Sequence, residues 1–358
     1  MAVTQVLVVG GGVGGMSCAI SLRRAGLAVD LLEIDPCWTA YACGITAAGP
    51  AICAMQSLGV LDEVRRHGAS WEGADYFNHT GEPIACAAAP AATVGILRSE
   101  LHKLLAAKTL GAGVHVRLGT TVETLSLVPG GVEVKLTNGH RERYGLVVGA
   151  DGIYSKVRER LFPDTPQPTL TGQVVYRLIA ERPRDFARTH IYQSLNARLA
   201  LHPLSRTHLY LLLQQPAPAN PWIAPEDQPR QLHRALNGWG GMAAEIRQTV
   251  MTTNAHCINY RPLDAVQLAG PTHRDRVLLI GDAAGARAER LDDGVGMALE
   301  DGVLLAQEIA RDGDIDAALP RFMARRRERR ALFERGPHAL ANHAAGPIPR
   351  PAQSGLQL

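Results

Sequence analysis

The chain has 358 residues, of which 46% are apolar, and its formal net charge is only +3. A chain of this length is expected to form two domains with cores of their own, and so small a net charge argues against a nucleic-acid scaffold held by counterion release. No apolar run approaches the roughly 20 residues of a transmembrane helix, and the six cysteines form no CxxC pair, so we expect a cytoplasmic protein with reduced thiols.

The first predicted elements form a βαβ unit. Residues 6–9 are a short apolar run bounded by glycine, which is typical of a strand buried on both faces of a parallel sheet. Apolar residues at helical spacing follow over 16–22, and Gly26 ends that helix. Residues 29–34 then form the next strand.

A glycine motif lies at the turn between the first strand and the helix. Gly10, Gly12 and Gly15 give the spacing GxGxxG, and Glu33 ends the second strand about 20 residues later. The first glycine permits a tight turn, the second lets a pyrophosphate approach the backbone, and the third permits close helix packing. The helix N-terminus supplies unpaired N–H groups, and we expect Glu33 to accept both ribose hydroxyls. The sequence therefore predicts a dinucleotide site.

The middle of the chain reads mainly as strands. A helix is predicted from Ser99, its expected N-cap, and a strand over 114–118. Residues 122–148 read as an antiparallel meander with an Asn138-Gly139 hairpin. A second sheet is predicted over 173–213, where apolar residues alternate.

A proline-rich loop then leads to helices around Leu232 and Ile246, and residues 277–280 return as a buried strand. The chain is therefore expected to return to the first domain after the second sheet. Six arginines lie within 321–330, which we interpret as a solvated helix face in preference to a polyanion site.

Two further glycine-containing segments follow buried strands. GADGIYSKVR occupies 149–158, and RVLLIGDAAG over 276–285 is followed by GVGMALED over 294–301. Each places an acid and glycines at a strand exit before a helix, an arrangement suited to binding an anion or a dipole. Taken singly, the first is also consistent with an ordinary Asp-Gly turn and the second with simple helix capping.

The three motifs, in this order, resemble those of the single-component FAD-dependent aromatic hydroxylases of the para-hydroxybenzoate hydroxylase type, loosely over 4–335. The resemblance implies an α/β fold: a Rossmann-like FAD-binding domain (1–170 and 265–335) with an inserted mixed/antiparallel-sheet substrate domain (171–264). Residues 336–358 are expected to form a flexible tail. The resemblance also implies a set of cofactor-binding residues: Gly10, Gly12, Val13, Gly14, Gly15, Glu33, Arg98, Val122, Asp151, Asp282, Gly294, Val295 and Gly296.

The family's chemistry would be hydroxylation of a small aromatic or heteroaromatic substrate. NADH or NADPH reduces FAD, dioxygen forms a flavin C4a-hydroperoxide, and one oxygen atom passes to the ring. A monomer or homodimer is expected. Alternatives on the same scaffold are an FAD-dependent reductase or oxidase, and a flavin-binding protein of low turnover.

Candidate substrate-binding residues lie on the second sheet. Tyr176, His202 and Tyr210 are predicted to orient the substrate or accept its proton, although tyrosines on strands more often only pack. Arg177 is expected to face solvent. The histidines and cysteines show no ligand-like spacing, so no metal is expected.

One segment departs from the family pattern. Gly285 stands where the family usually has histidine, and Glu289 where it has proline, within a charged stretch that ends at Asp293. A carboxylate there would oppose an anionic reduced flavin. Our alternative hypothesis is that Arg287 or Arg290 recognises a polar substrate.

Overall fold

The structure is a computed structural model that describes residues 5–41, 43–87, 92–217, 219, 221–268, 270–286, 294–311 and 313–335. The helices are α1 (Val13–Arg24), α2 (Pro50–Leu58), α3 (Leu61–His67), α4 (Arg98–Gly111), α5 (Lys156–Leu161), α6 (Gln228–Ala235), α7 (Gly241–Val250), α8 (Gly294–Ala310) and α9 (Ile315–Arg335). The strands are β1 (Gln5–Val9), β2 (Ala28–Glu33), β3 (Gly44–Ala48), β4 (Ala69–Trp71), β5 (Ala74–Asn78), β6 (Pro83–Ala87), β7 (Thr93–Leu97), β8 (His115–Leu118), β9 (Val122–Val128), β10 (Gly131–Leu136), β11 (Arg141–Tyr144), β12 (Leu146–Gly149), β13 (Thr169–Glu181), β14 (Thr189–Gln193), β15 (Arg198–Pro203), β16 (His208–Pro216), β17 (Ile258–Ala265), β18 (His273–Arg274) and β19 (Val277–Leu279).

A six-stranded sheet with the order β18-β19-β12-β1-β2-β8 forms the centre of the molecule. All its pairings are parallel except that of β18 with β19. Helices α1 and α8 pack on one face, and the antiparallel meander β9–β11 lies on the other with α5. Residues 6–9 are buried on both faces, as their continuous apolar run predicted. The prediction of an α/β fold with a late-returning strand is confirmed.

A seven-stranded mixed sheet, β17-β13-β16-β15-β14-β5-β6, lies beside it. Its β14 pairs with β5 in parallel, so this sheet also takes two strands from the range predicted for the first domain. Successive side chains of β13 point to opposite faces. Tyr176 and its alternate neighbours pack under α6 and α7, whereas Val175 and Ile179 pack on the face toward β3 and β7.

Several local predictions need correction. Helix α4 begins at Arg98, and its N-cap is Leu97, which offers no side-chain acceptor; Ser99 lies inside the first turn. The meander ends at Tyr144, because β12 joins the central sheet as a parallel strand. A three-stranded sheet, β3-β7-β4, was not predicted from the sequence.

The prediction of a solvated helix face is wrong for most of the arginine run on α9. Helix α9 packs along α8, where four of the six arginines pair with buried acids, although Arg327 is exposed. The ion pairs are Arg321–Glu308, Arg325–Glu308, Arg326–Asp301 and Arg329–Glu300. The predicted tail, 336–358, lies outside the described residues. None of the helices in the described ranges is long and apolar enough to cross a bilayer.

Candidate flavin cleft

A cleft of about 950 Å³ runs between the carboxyl ends of the central strands and the inner face of the seven-stranded sheet. Its walls include Gly12 to Gly14 at the start of α1, Asp282 after β19, and Gly294 and Val295 at the start of α8. The opposite wall includes Arg177 and residues 261–264. Parallel sheets bind ligands at this edge, and the volume is that of a site for a sizeable small molecule.

The three motif glycines occupy different environments. Gly10 has φ +107°, and a β-carbon there would lie 2.4 Å from the carbonyl oxygen of Ala150. A β-carbon on Gly15 would lie 1.8 Å from the carbonyl oxygen of Gly10, so this position must be glycine for α1 to approach β1. A β-carbon on Gly12 would meet no atom within 4 Å and would project into open space. The first and third glycines are therefore packing residues, and the second leaves room for a ligand.

Glu33 lies beside this turn. One carboxylate oxygen accepts a 2.7 Å hydrogen bond from the Gly11 N–H, and the other accepts a 2.8 Å bond from the Asp35 N–H. The indole N–H of Trp38 donates to the Gly11 carbonyl over 2.8 Å. Each carboxylate oxygen keeps a second acceptor site, so Glu33 can hold the turn and still accept ribose hydroxyls.

The Asp151 side chain of the Asp-Gly segment, 149–158, bonds to the start of the following helix, α5. The Asp151 carboxylate accepts hydrogen bonds from the Ser155 hydroxyl and from the backbone N–H groups of Lys156 and Val157. Burial raises the pKa of Asp151 despite these donors. Its side chain therefore caps α5 and does not line the cleft, whereas the following residues 152–154 do.

The third motif places Asp282 in the cleft wall. Burial raises the pKa of the Asp282 carboxyl; the charge of Arg98 opposes this shift and that of Asp301 adds to it. The N-terminus of α8, at Gly294 and Val295, faces the same space with its partial positive charge. The atypical residues Arg287, Glu289, Arg290, Asp292 and Asp293 lie outside the described residues.

Besides Asp151, two further predicted cofactor residues lie away from the cleft. Val122, the first residue of β9, is 1% exposed and packs in the core between the meander and the central sheet. A β-carbon on Gly296 would approach the Ala51 side chain to 3.0 Å, so this glycine lets α8 lie close to α2. Arg98, in contrast, lines the cleft at the start of α4.

The three predicted substrate residues do not line the cleft. Tyr176 was expected on the pocket face, but its ring packs at a tilt against that of Tyr260 in the core under α6 and α7, because alternation along β13 turns it away. Tyr210 is 3% exposed and packs over Gly44 behind the cleft wall. His202 is also buried, and its Nδ1 lies 3.0 Å from the Thr189 hydroxyl.

Arg177, expected to face solvent, instead lines the cleft; that expectation is wrong. Burial alone would lower the pKa of its guanidinium, but Tyr210, Tyr41 and Cys43 outweigh burial and raise it, so the side chain stays charged. Arg177 lies within an apolar strand, between the buried residues Val175 and Leu178. A charged residue at such a position is the sequence signal that would have indicated a role in the cleft.

Two more arginines surround Tyr41 at the same place. Arg98 donates from Nη1 to the Tyr41 hydroxyl over 2.8 Å, and its Cζ lies 4.4 Å from the ring centroid. The Cζ of Arg261 lies 5.7 Å from the same centroid. Among the side chains that the structure describes, Arg98, Arg177 and Arg261 form no ion pair within 4.0 Å. This cluster, Arg98, Arg177 and Arg261, is called the cleft arginines below.

Tyr154 and Asp264 meet across the cleft edge. The Tyr154 hydroxyl donates a short hydrogen bond to the Asp264 carboxylate, and this bond raises the pKa of the phenol. The contact joins the Asp-Gly segment to β17. No group of three or more His, Cys, Asp and Glu side chains within the described ranges is placed to hold a metal ion.

The cleft suits FAD. Two helix N-termini face it, from α1 and α8, and the open position at Gly12 gives a pyrophosphate access to the backbone. Glu33 retains acceptors for a ribose, and the start of α8 can stabilise negative charge on a flavin ring.

Comparison with known proteins agrees with this fit. Residues 3–331 match the family model described as FAD binding domain. The chain is 28% identical over 335 residues to a putative FAD-dependent monooxygenase, YetM, of Bacillus subtilis (strain 168), covering 91% of this chain and 89% of the relative. It is 26% identical to salicylate hydroxylase of Pseudomonas putida, covering 85% and 76%.

Among solved structures, Klebsiella pneumoniae HpxO complexed with FAD and uric acid has the same fold, with a TM-score of 0.82 at 23% identity over 93% of this chain and 86% of that one. The motifs, the cleft and the family match agree along nearly the whole chain. This protein belongs to the FAD binding domain family and is an FAD-dependent monooxygenase of the para-hydroxybenzoate hydroxylase type.

Proposed function

We propose that the substrate is a small aromatic compound that carries an anionic group, such as a carboxylate. The observation that supports this proposal is the set of cleft arginines, none of which forms an ion pair within 4.0 Å with a described residue, although the charge of Arg98 acts on Asp282. Guanidinium groups gathered around one ring repel one another, and an anionic ligand relieves that repulsion. The planar donors of arginine also match a carboxylate.

The overall reaction consumes the aromatic substrate, dioxygen, a proton and NADH or NADPH. It yields the ring-hydroxylated product, water and the oxidised nicotinamide. Bound FAD, once reduced, supplies the electrons with which dioxygen is activated. The chain's own residues would anchor the anionic group at Arg177 and Arg261 and exclude water from the cleft. The relative named salicylate hydroxylase, by its name, acts on an aromatic acid, which is consistent with this choice.

We further propose a cytoplasmic location, which the six free thiols support, and a monomeric or homodimeric state. The reductase or oxidase alternative would share the cofactor site but would leave no oxygen atom in the product.

The test compares hydroxybenzoates with the matched phenols that lack a carboxylate. Holoenzyme is assayed for substrate-stimulated oxidation of NADH and NADPH and for incorporation of ¹⁸O from labelled dioxygen. The variants are Arg177→Met and Arg261→Met, with Arg230→Met as control, because Arg230 pairs with Asp227 on the exposed start of α6. We expect a rise in KM of about tenfold or more for the acids in the cleft variants. Their flavin content should remain normal.

Two results would count against the proposal. If the neutral phenols stimulate NAD(P)H oxidation as well as the acids do, the anionic group is not recognised. If no product carries the label from dioxygen, the monooxygenase reaction itself is absent on these substrates.

A further inference from the structure

We propose that Arg326 is a positioning residue of the FAD site. It acts through Asp301, which holds the turn at Gly281 and Asp282 in the cleft wall. The arginine run of α9 would therefore contribute to cofactor binding, although none of the three glycine motifs includes it. This inference goes beyond the proposed substrate and does not depend on it.

The contacts form one continuous chain. The Arg326 Nε lies 2.9 Å from each carboxylate oxygen of Asp301. One of those oxygens also accepts a 2.8 Å hydrogen bond from the Gly281 N–H. Only 6% of the Arg326 side chain and 3% of the Asp301 side chain is exposed, so solvent screens this pair very little.

The turn that Asp301 holds is conformationally demanding. Gly281 has φ +56° and lies two residues after the end of β19, a buried strand of the central sheet. Its N–H has no partner in the sheet ladder and depends on Asp301. The next residue, Asp282, faces the cleft. Loss of the acceptor would leave a partly buried N–H unpaired and would free the turn to move.

Charge gives Arg326 a second effect. The Asp301 carboxylate is close enough to Asp282 to raise the pKa of that group. Without Arg326, the Asp301 carboxylate would lie uncompensated beside Asp282, near a cleft that must accept the negatively charged pyrophosphate of FAD. Arg326 neutralises one of them, and it also lines the cleft itself.

The neighbouring arginine provides a matched control. Arg329 pairs with Glu300 through two contacts of 3.1 and 3.2 Å, one turn further along α9. Both pairs join α9 to α8 and both are largely buried. No hydrogen bond in the described structure connects Glu300 to the turn at Gly281, so loss of Arg329 should cost stability without disturbing that turn.

The experiment titrates FAD into apoprotein and follows the change in flavin fluorescence, with thermal unfolding of the apoprotein measured in parallel. The variants are Arg326→Met, Arg329→Met and the double variant Asp301→Asn with Arg326→Met. We expect Arg326→Met to raise the Kd for FAD at least tenfold and Arg329→Met less than threefold, with similar losses of Tm. The double variant should recover most of the affinity, because asparagine still offers an oxygen to the Gly281 N–H and leaves no buried charge.

Equal FAD affinities in the two single variants would overturn the proposal. If Arg326→Met does not fold, the double variant decides. Near-normal FAD affinity in a folded double variant supports the proposal that Arg326 acts by compensating the charge of Asp301 at this turn. An affinity loss of tenfold or more in that folded variant contradicts it.

Discussion

The guanidinium of Arg158 donates a 3.1 Å hydrogen bond to the carbonyl oxygen of Ala283, and so connects two segments that lie 125 residues apart in the sequence. The same side chain donates to the Ile153 carbonyl, and Arg158 is 1% exposed. One buried side chain therefore fixes the Asp-Gly segment against the third motif, and both segments line the cleft.

Replacing Arg158 with methionine should leave two carbonyl groups buried without a donor. We expect a loss of about 2–4 kcal/mol in the free energy of unfolding, measured by urea denaturation. Arg160→Met is the control, because Arg160 is exposed and should change stability by less than about 0.5 kcal/mol. Equal effects of the two substitutions would contradict the bracing role.

The motif glycines should separate folding from cofactor binding. Gly15→Ala forces a β-carbon against the Gly10 carbonyl, and we expect loss of at least about 3 kcal/mol of stability or failure to fold. Gly12→Ala meets no protein atom, so the apoprotein should keep its stability within about 0.5 kcal/mol. Its methyl group occupies space in the cleft, and FAD affinity should fall at least tenfold. Normal FAD binding by Gly12→Ala would show that the pyrophosphate lies elsewhere.

Glu33 should affect affinity for FAD more than stability. Glu33→Gln keeps the shape of the side chain but removes the charge that strengthens hydrogen bonds to the Gly11 N–H and to a ribose. A loss of about 1.5–3 kcal/mol in binding corresponds to a Kd roughly ten to a hundred times higher. Asp35→Asn is a suitable control, since among the described residues Asp35 accepts side-chain hydrogen bonds from Cys37 and Thr39 alone, on the exposed side. A Kd for Glu33→Gln equal to that of the control would remove Glu33 from the site.

One ion pair predicts a pH dependence of stability. The hydrogen bond from Arg117 lowers the pKa of Glu142, although burial opposes the shift. A carboxyl whose pKa is lowered by folding stabilises the protein above its unfolded pKa of about 4.3, and this contribution is lost as the pH falls through the folded value. Glu142→Gln should therefore be less stable than wild type by about 1 kcal/mol at pH 7, with the gap closing below about pH 4. Urea denaturation at both pH values checks this, and a gap that does not change with pH would contradict it.

The sequence predicted the parts of the fold that depend on local pattern. The first βαβ unit follows from one apolar run, a glycine turn and helical spacing, all within the first 33 residues. The sheet β3-β7-β4 was missed, because its pairing joins Ile45 to Ile96 across some fifty residues that are rich in alanine and glycine. Such long-range pairing leaves little local signal.

Several residues predicted to bind the cofactor, among them Gly12, Arg98 and Asp282, line the cleft, whereas the three predicted substrate residues do not. Alternation along β13 defined two faces, but the sequence could not say which face helices would cover. Helices α6 and α7 cover the Tyr176 face, which leaves Arg177 facing the cleft. The arginines of α9 were misjudged for a similar reason, because their acid partners on α8 lie up to 29 residues earlier in the chain.

Titration of the purified protein with FAD tests the account most directly. One FAD per chain should bind, giving a yellow protein, and Gly12→Ala and Glu33→Gln should weaken that binding while their apoproteins remain folded. A folded wild-type protein that takes up no flavin at any concentration tested would contradict the assignment of the cleft.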